Sequence, residues 1–235
     1  MIKIGKIIRR RDNETENKKI FVSNIINSSA PSIDFYLMVS LSAIITALGL
    51  ITDNIALVIA GMIVAPLLSP ILAMALGYVI VSFKMFWRSF KILVLSTILA
   101  TIFSILIGLV FRINSGEISL IEKMEISWLT FTIALVAGII ASYGWTRPNS
   151  KDYLSGIAIA VTIIPPLASL GLILSDLNMG LFIYILNFFL MNVVGIFFGS
   201  LIVFSLMNFY KIKKRINREI KKEENGVNKA IKIVS

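Results

Sequence analysis

The sequence contains no cysteine and no histidine. Without cysteine there is no disulfide, no thiolate metal ligand and no sulfur nucleophile; without histidine there is no imidazole ligand and no Ser-His-Asp relay. Charge is scarce too, at 15% of residues, and the long apolar runs carry none in their interiors. That excludes a buried carboxylate relay for proton coupling and an arginine-bearing voltage sensor. Proline is limited to six residues, so the position of each has weight. What remains is apolar. Hydrophobic residues make up 57% of the chain and the mean hydropathy is +0.88, outside the range of soluble globular domains.

A bilayer core of about 30 Å takes roughly 20 apolar residues at about 1.5 Å each. Six runs bounded by charge or turn residues approach that length: 35–51, 55–82, 90–111, 128–143, 153–174 and 181–209. The first follows a charged, polar leader with no small-residue cleavage site, so it reads as an uncleaved span rather than a signal peptide. The sequence therefore predicts an all-α membrane protein with six transmembrane helices. Its segments are a basic cytoplasmic leader (1–34), a first transmembrane repeat (35–112), an outer loop (113–127), a second transmembrane repeat (128–208) and a basic cytoplasmic tail (209–235).

Orientation follows from lysine and arginine, which accumulate on the cytoplasmic side. With the N-terminus inside, alternating spans place all of the 23 basic residues there except Arg112 and Lys123. Trp87, Trp128, Trp145, Tyr36, Tyr153, Tyr184 and Tyr210 fall near span ends, where amphipathic rings favour the headgroup layer. This predicts a multi-pass protein of the cell (inner) membrane with both termini cytoplasmic. The net charge of +10 then becomes a basic inner rim suited to anionic lipid. Phe21, Val22, Ile25 and Ile26 fit a short surface helix in the leader, and Ile212, Ile216 and Ile220 fit a helix continuing into the tail. No nucleic-acid partner is expected, because no aromatic stacking platform or reading module accompanies the charge.

The motif that organises the chain is GMIVAPLLSP, residues 61–70, which sets two prolines inside an apolar run and returns as TIIPPLASLG at 162–171. At an offset of one hundred, Pro66/Pro166, Leu67/Leu167, Ser69/Ser169, Ile59/Ile159, Ala60/Ala160 and Ile63/Ile163 are identical. Each copy sits in the middle span of a three-span unit. An odd number of spans reverses the second unit, which gives two inverted three-helix repeats with proline-broken helices 2 and 5, a design used by secondary transporters.

A proline removes one helical donor and clashes with the carbonyl four residues earlier, leaving groups that hydrocarbon cannot satisfy. Pro66, Pro70, Pro165 and Pro166 are thus candidates for a midplane site of freed carbonyls, with Ser69, Thr162, Ser169, Asn187 and Asn192 as polar neighbours and Thr97, Thr101 and Ser104 nearby. The competing readings are kinks that shape the bundle and polar side chains that bind helix to helix. Oxygen ligands without formal charge suit a monovalent cation or a neutral polar solute. In the first outer turn, Asp53 or Asn54 is an N-cap of the second span or an outward gate. Gly61 and Gly77 allow close helix packing. Gly195 and Gly199 form a GxxxG surface used either in a homo-oligomer or within the protomer.

The run NIALVIAGMIVAPLLSPILAMALG, residues 54–77, resembles the signature of membrane proteins catalogued as domain of unknown function 389, and IIPPLASLG from Ile163 resembles that family's second proline-containing helix. The matching positions are Asn54, Gly61, Pro66, Pro70, Gly77, Pro165 and Pro166. The resemblance implies a polytopic membrane protein and carries over no substrate or catalytic residue. The combined expectation is a transporter or channel for a small ion or polar solute, without cofactor or metal and not an enzyme, since neither a membrane aspartate pair nor a Ser-His dyad is present. The alternative is a non-transporting scaffold or assembly subunit that binds anionic lipid or partner proteins.

Overall fold

The computed structural model describes residues 32–113, 118–146, 163–207 and 209. Among these, every regular element is a helix: α1 (Ile33–Ile51), α2 (Ile55–Val64), α3 (Leu68–Val79), α4 (Phe83–Phe111), α5 (Ser119–Glu122), α6 (Trp128–Trp145), α7 (Ile164–Ser175) and α8 (Met179–Leu206). Four of them, α1, α4, α6 and α8, are long and apolar enough to cross a membrane, and the bent pair of α2 and α3 adds a fifth. The fold is that of a helical membrane protein. Of the span predicted at 153–174, only α7 lies within the described residues. The predicted leader up to residue 31, most of the tail, and Thr162 lie outside them.

The second span is two helices meeting at 49°. Pro66 accounts for the break. The residue before a proline is driven out of the α region, and Ala65 is extended at φ −74°, ψ 122°. Pro70 breaks nothing, because it occupies the third position of α3, where no intrahelical donor is needed. Pro165 and Pro166 hold the second and third positions of α7 for the same reason. The third span begins at Phe83 rather than at the predicted residue 90. Lys84, Arg88 and Lys91 recur at four and three residues, on one helix face, where long basic side chains extend along the helix without ending it.

Two short helices lie at the centre. Every residue from Ser69 to Gly77 on α3 and from Ile164 to Ile173 on α7 is buried, whereas α2 buries only Val58 and Gly61. Around them, α7 packs on α1, α4 and α8; α3 packs on α4 and α8; α6 packs on α8; and α1 packs on α2 and α4.

The central helices correspond in detail. Each has 12 residues with proline third, and each ends on a left-handed residue beyond its cap, Val81 (φ 54°) or Leu177 (φ 56°). The next amide returns to a carbonyl five residues back, Ser82 to Gly77 at 2.8 Å and Asn178 to Ile173 at 3.4 Å. A helix of 29 or 28 residues follows. Buried Ser89, Ile92, Leu93, Ser96, Ala100, Ser104 and Gly108 on α4 are matched, 96 positions later, by buried Ile185, Phe188, Phe189, Asn192, Ile196, Ser200 and Phe204 on α8. Likewise Ser32 and Ser127, 95 apart, cap α1 and α6 by accepting from the amides of Phe35 (3.1 Å) and Thr130 (3.2 Å). The buried face of Val39, Ser42, Ala43, Thr46 and Ala47 returns at that spacing as Ala134, Ala137, Gly138, Ala141 and Ser142. Packing therefore follows a register about one helical turn shorter than the hundred-residue offset of the sequence identities.

Candidate functional site at the proline breaks

Pro66 leaves the Met62 carbonyl without its helical donor, and Pro70 does the same to the Pro66 carbonyl. The second loss is made good locally: Ser69 Oγ donates to Pro66 O at 2.9 Å. In the other proline segment, Ser169 Oγ donates to Pro165 O at 2.9 Å and lies 3.9 Å from Met124 Sδ. Both serines are buried. Both hydroxyls are therefore directed at proline carbonyls of their own segments. Leu67 from one segment and Ile163, Ile164 and Leu167 from the other share one hydrophobic core. The two predicted proline sites thus enter the same core.

Further hydroxyls beside the first break come from α1, where none was expected. Ser42 Oγ donates to the Gly61 carbonyl at 2.7 Å, which also receives the Ala65 amide at 3.3 Å, just ahead of Pro66. One turn along α1, Thr46 faces Gly61 so closely that any Cβ there would strike Thr46 Oγ1. Thr46 Oγ1 is buried with no hydrogen-bond partner. So is Ser104 Oγ on α4, and the Ser104 side chain abuts Gly171 of α7. Hydroxyls inside apolar helices ordinarily bond the carbonyl four residues back. Ser96 does so at 2.7 Å, Thr97 at 2.9 Å and Ser200 at 2.8 Å. Thr46 and Ser104 depart from that rule, and a buried unpaired hydroxyl costs on the order of 1–3 kcal/mol. The third such atom among the described residues is Trp145 Nε1, at the end of α6. Ser42 and Thr46 share one face with Ala43 and Ala47, a small-residue stripe that was the readable signal.

The predicted asparagine pair separates. Asn192 is buried and donates to Phe188 O at 2.9 Å, whereas Asn187 is exposed. Five residues turn a helix by about 140°, so the two amides cannot share one pathway. At the turn between α1 and α2, Asn54 is the cap, with Oδ1 accepting from Ala56 N (3.0 Å) and Leu57 N (3.4 Å). Asp53 takes a left-handed φ of 51°, and both its carboxylate oxygens lie 2.8 Å from Ser119 Oγ, which ties the turn to α5. The glycines mark close approaches within the chain. A Cβ at Gly195 would come 2.7 Å from Ala134 Cβ, one at Gly199 would strike the Leu135 carbonyl, and one at Gly77 would lie 2.9 Å from the Phe86 amide. The GxxxG surface is thus spent on α6 of the same protomer. Among the described residues no group of three acidic side chains is placed to hold a metal.

The stretch containing both proline segments is also where the chain meets a known family. A family model described as Domain of unknown function (DUF389) matches residues 62–198, from α2 through α8. The chain belongs to this family. An uncharacterized protein of Methanocaldococcus jannaschii is 32% identical over 183 residues, a similarity that covers 78% of this chain. The chain spans 56% of the length of that relative. No solved structure matches. Pro66, Pro70, Pro165, Pro166 and Ser104 fall inside the DUF389 match, whereas Ser42, Thr46 and Gly61 precede it.

Proposed function

We propose that this DUF389 protein is a transporter or channel for a small ion or polar solute. In this reading six spans form two inverted three-helix repeats in the cell membrane, with both termini cytoplasmic. One observation carries it: two buried, unpaired hydroxyls, Thr46 Oγ1 and Ser104 Oγ, stand on α1 and α4 against glycines of the two proline-containing spans. Unpaired polar atoms beside an interrupted helix are what a passing solute would satisfy at membrane depth. Uncharged oxygens favour a weakly held monovalent cation or a neutral polar solute over a divalent ion. The matched ends and buried faces of α3–α4 and α7–α8 support the repeat.

Flux through liposomes containing the purified protein is the direct test. Uptake of at least one member of a panel of monovalent cations and small polar solutes is expected, falling several-fold in Thr46→Val. Folded protein that passes no member of the panel would leave the scaffold reading in its place. Because the chain has no cysteine, single cysteines introduced in the turns report orientation without background. Labelling at Thr52 from outside the cell and at Val81 only from inside is expected; the reverse pattern overturns the orientation.

A further inference from the structure

Residues 118–127, which carry α5 and lead into α6, lie across one end of the bundle. α5 has four residues, too few to hold a helix on their own, so side chains fix its place. Ile118 and Ile121 are buried, and they share one core with Ala47 of α1, Val58 of α2, Ala168 of α7 and Ile185 of α8. Met124 packs against the same core, and its Sδ lies 3.9 Å from Ser169 Oγ. Ser169 stands six residues before the end of α7, about 9 Å down the helix axis. The segment therefore reaches into the bundle rather than resting on its rim. Its charged side chains, Glu122, Lys123 and Glu125, are all exposed.

Two polar contacts fasten the segment near its ends. Ser119 Oγ lies 2.8 Å from both carboxylate oxygens of Asp53, in the turn between α1 and α2. The Ile126 amide donates to Tyr184 Oη of α8 at 3.1 Å. Both contacts are exposed, where water competes for a hydrogen bond and its net worth is small. The contact with Ser169 adds little, because a thioether is a weak acceptor. A very short helix, exposed polar fastenings and few buried side chains are the marks of a unit that opens locally, ahead of the rest of a fold.

We propose that residues 118–127 are a strap that closes this mouth of the bundle over Ser169, latched by the Asp53–Ser119 and Tyr184–Ile126 contacts and opening as one unit when they release. The closure is read from the contacts themselves. That opening admits a solute to the second proline segment rests on the transport reading.

The chain has no cysteine, so a single cysteine placed beneath the strap reports its opening. Ser169→Cys in the purified full chain, in neutral detergent, should react slowly with a hydrophilic thiol reagent. Loss of one latch raises the open population about fivefold, the worth of one hydrogen bond. Ser119→Ala and Tyr184→Phe, each combined with Ser169→Cys, should therefore label about fivefold faster, and the two together at least about tenfold faster. Ala73→Cys, buried on α3 in a separate core, should label at one slow rate in all these backgrounds. The proposal is overturned if Ser169→Cys labels at the same rate with the latches intact and removed, or if Ala73→Cys accelerates alongside it, which would mean general loosening. Hydrogen exchange with Ser169 in place is the second readout: the amides of 118–127 should exchange ahead of those of α7, and about fivefold faster in Ser119→Ala and in Tyr184→Phe. Exchange of the segment and α7 at one rate would also overturn it. Labelling needs no transport, so the two readings fail separately: a strap that opens in a protein passing no solute stands, and the transport reading falls.

Discussion

The run from α1 to α4 and the run from α6 to α8 bury the same helix faces but arm them differently. Where α1 presents Ser42 and Thr46, α6 presents Ala137 and Ala141 at the corresponding positions. Where Ser104 is buried and unpaired, its counterpart Ser200 reaches two carbonyls, Ile196 O at 2.8 Å and Gly138 O at 3.3 Å. Alanine occupies the same register in α6, so helix packing alone does not call for a hydroxyl at these positions; Ser42 uses its own to hold the Gly61 carbonyl, and Thr46 has no such partner. Among the described residues the buried unpaired hydroxyls both lie in the first run, and the second run's one such atom is an indole nitrogen, Trp145 Nε1, at the end of α6.

The comparison can be broken experimentally, most sharply at Gly138. A Cβ there would strike the Ile196 carbonyl, so Gly138→Val should destabilise the protein by about 3 kcal/mol or prevent folding. The corresponding Ala43→Gly should cost only about 1 kcal/mol. Equal losses in detergent unfolding would mean that close approach does not distinguish α6–α8 from α1–α4. Next, Ser104→Ala and Ser200→Ala should have opposite signs: the first stabilises by about 1 kcal/mol by removing an unpaired hydroxyl, and the second destabilises by about 1 kcal/mol. Matching signs would erase the asymmetry. Thr46→Val, which keeps the side-chain shape, should also gain about 1 kcal/mol in the same unfolding measurement while lowering flux. Smallest of all, Val81→Gly and Leu177→Gly relieve left-handed residues and should each add about 0.5 kcal/mol. A gain at one position alone would show that the two helix ends are not equivalent.

Much of this architecture was legible in the sequence, and the parts that were not have physical causes. Pro66 announced its break because a proline dictates both its own φ and the conformation of Ala65. The start of α4 was hidden because Lys84 and Arg88 resemble a boundary, although a helix carries such side chains easily. The register was harder. Pro-Leu-x-Ser matches at an offset of one hundred, but burial follows volume and helical phase, which low-diversity apolar sequence does not encode as identity. Asn192 and Ser169 were recognised as buried polar residues, whereas Thr46 was missed: a lone hydroxyl in an apolar helix is usually bonded to its own backbone, and only coordinates reveal that this one is not. The two readings of the GxxxG surface were equivalent on paper until α6 was found lying across it.

A continuous helix transmits torque, because each turn is bonded to the next. At Ala65 the span that holds Pro66 loses that property. Its first half, α2, is fastened to α1 through Gly61 and Ser42 and buries little else, while its second half, α3, is buried along nearly its whole length. The joint therefore decouples the rotation of α2 from that of α3, while α1 with its hydroxyls is held against α4 and α7 as well as α2. α2 is then a short leaf lying between two fixed helices, α1 and α3, with Ala65 to Leu67 as the joint.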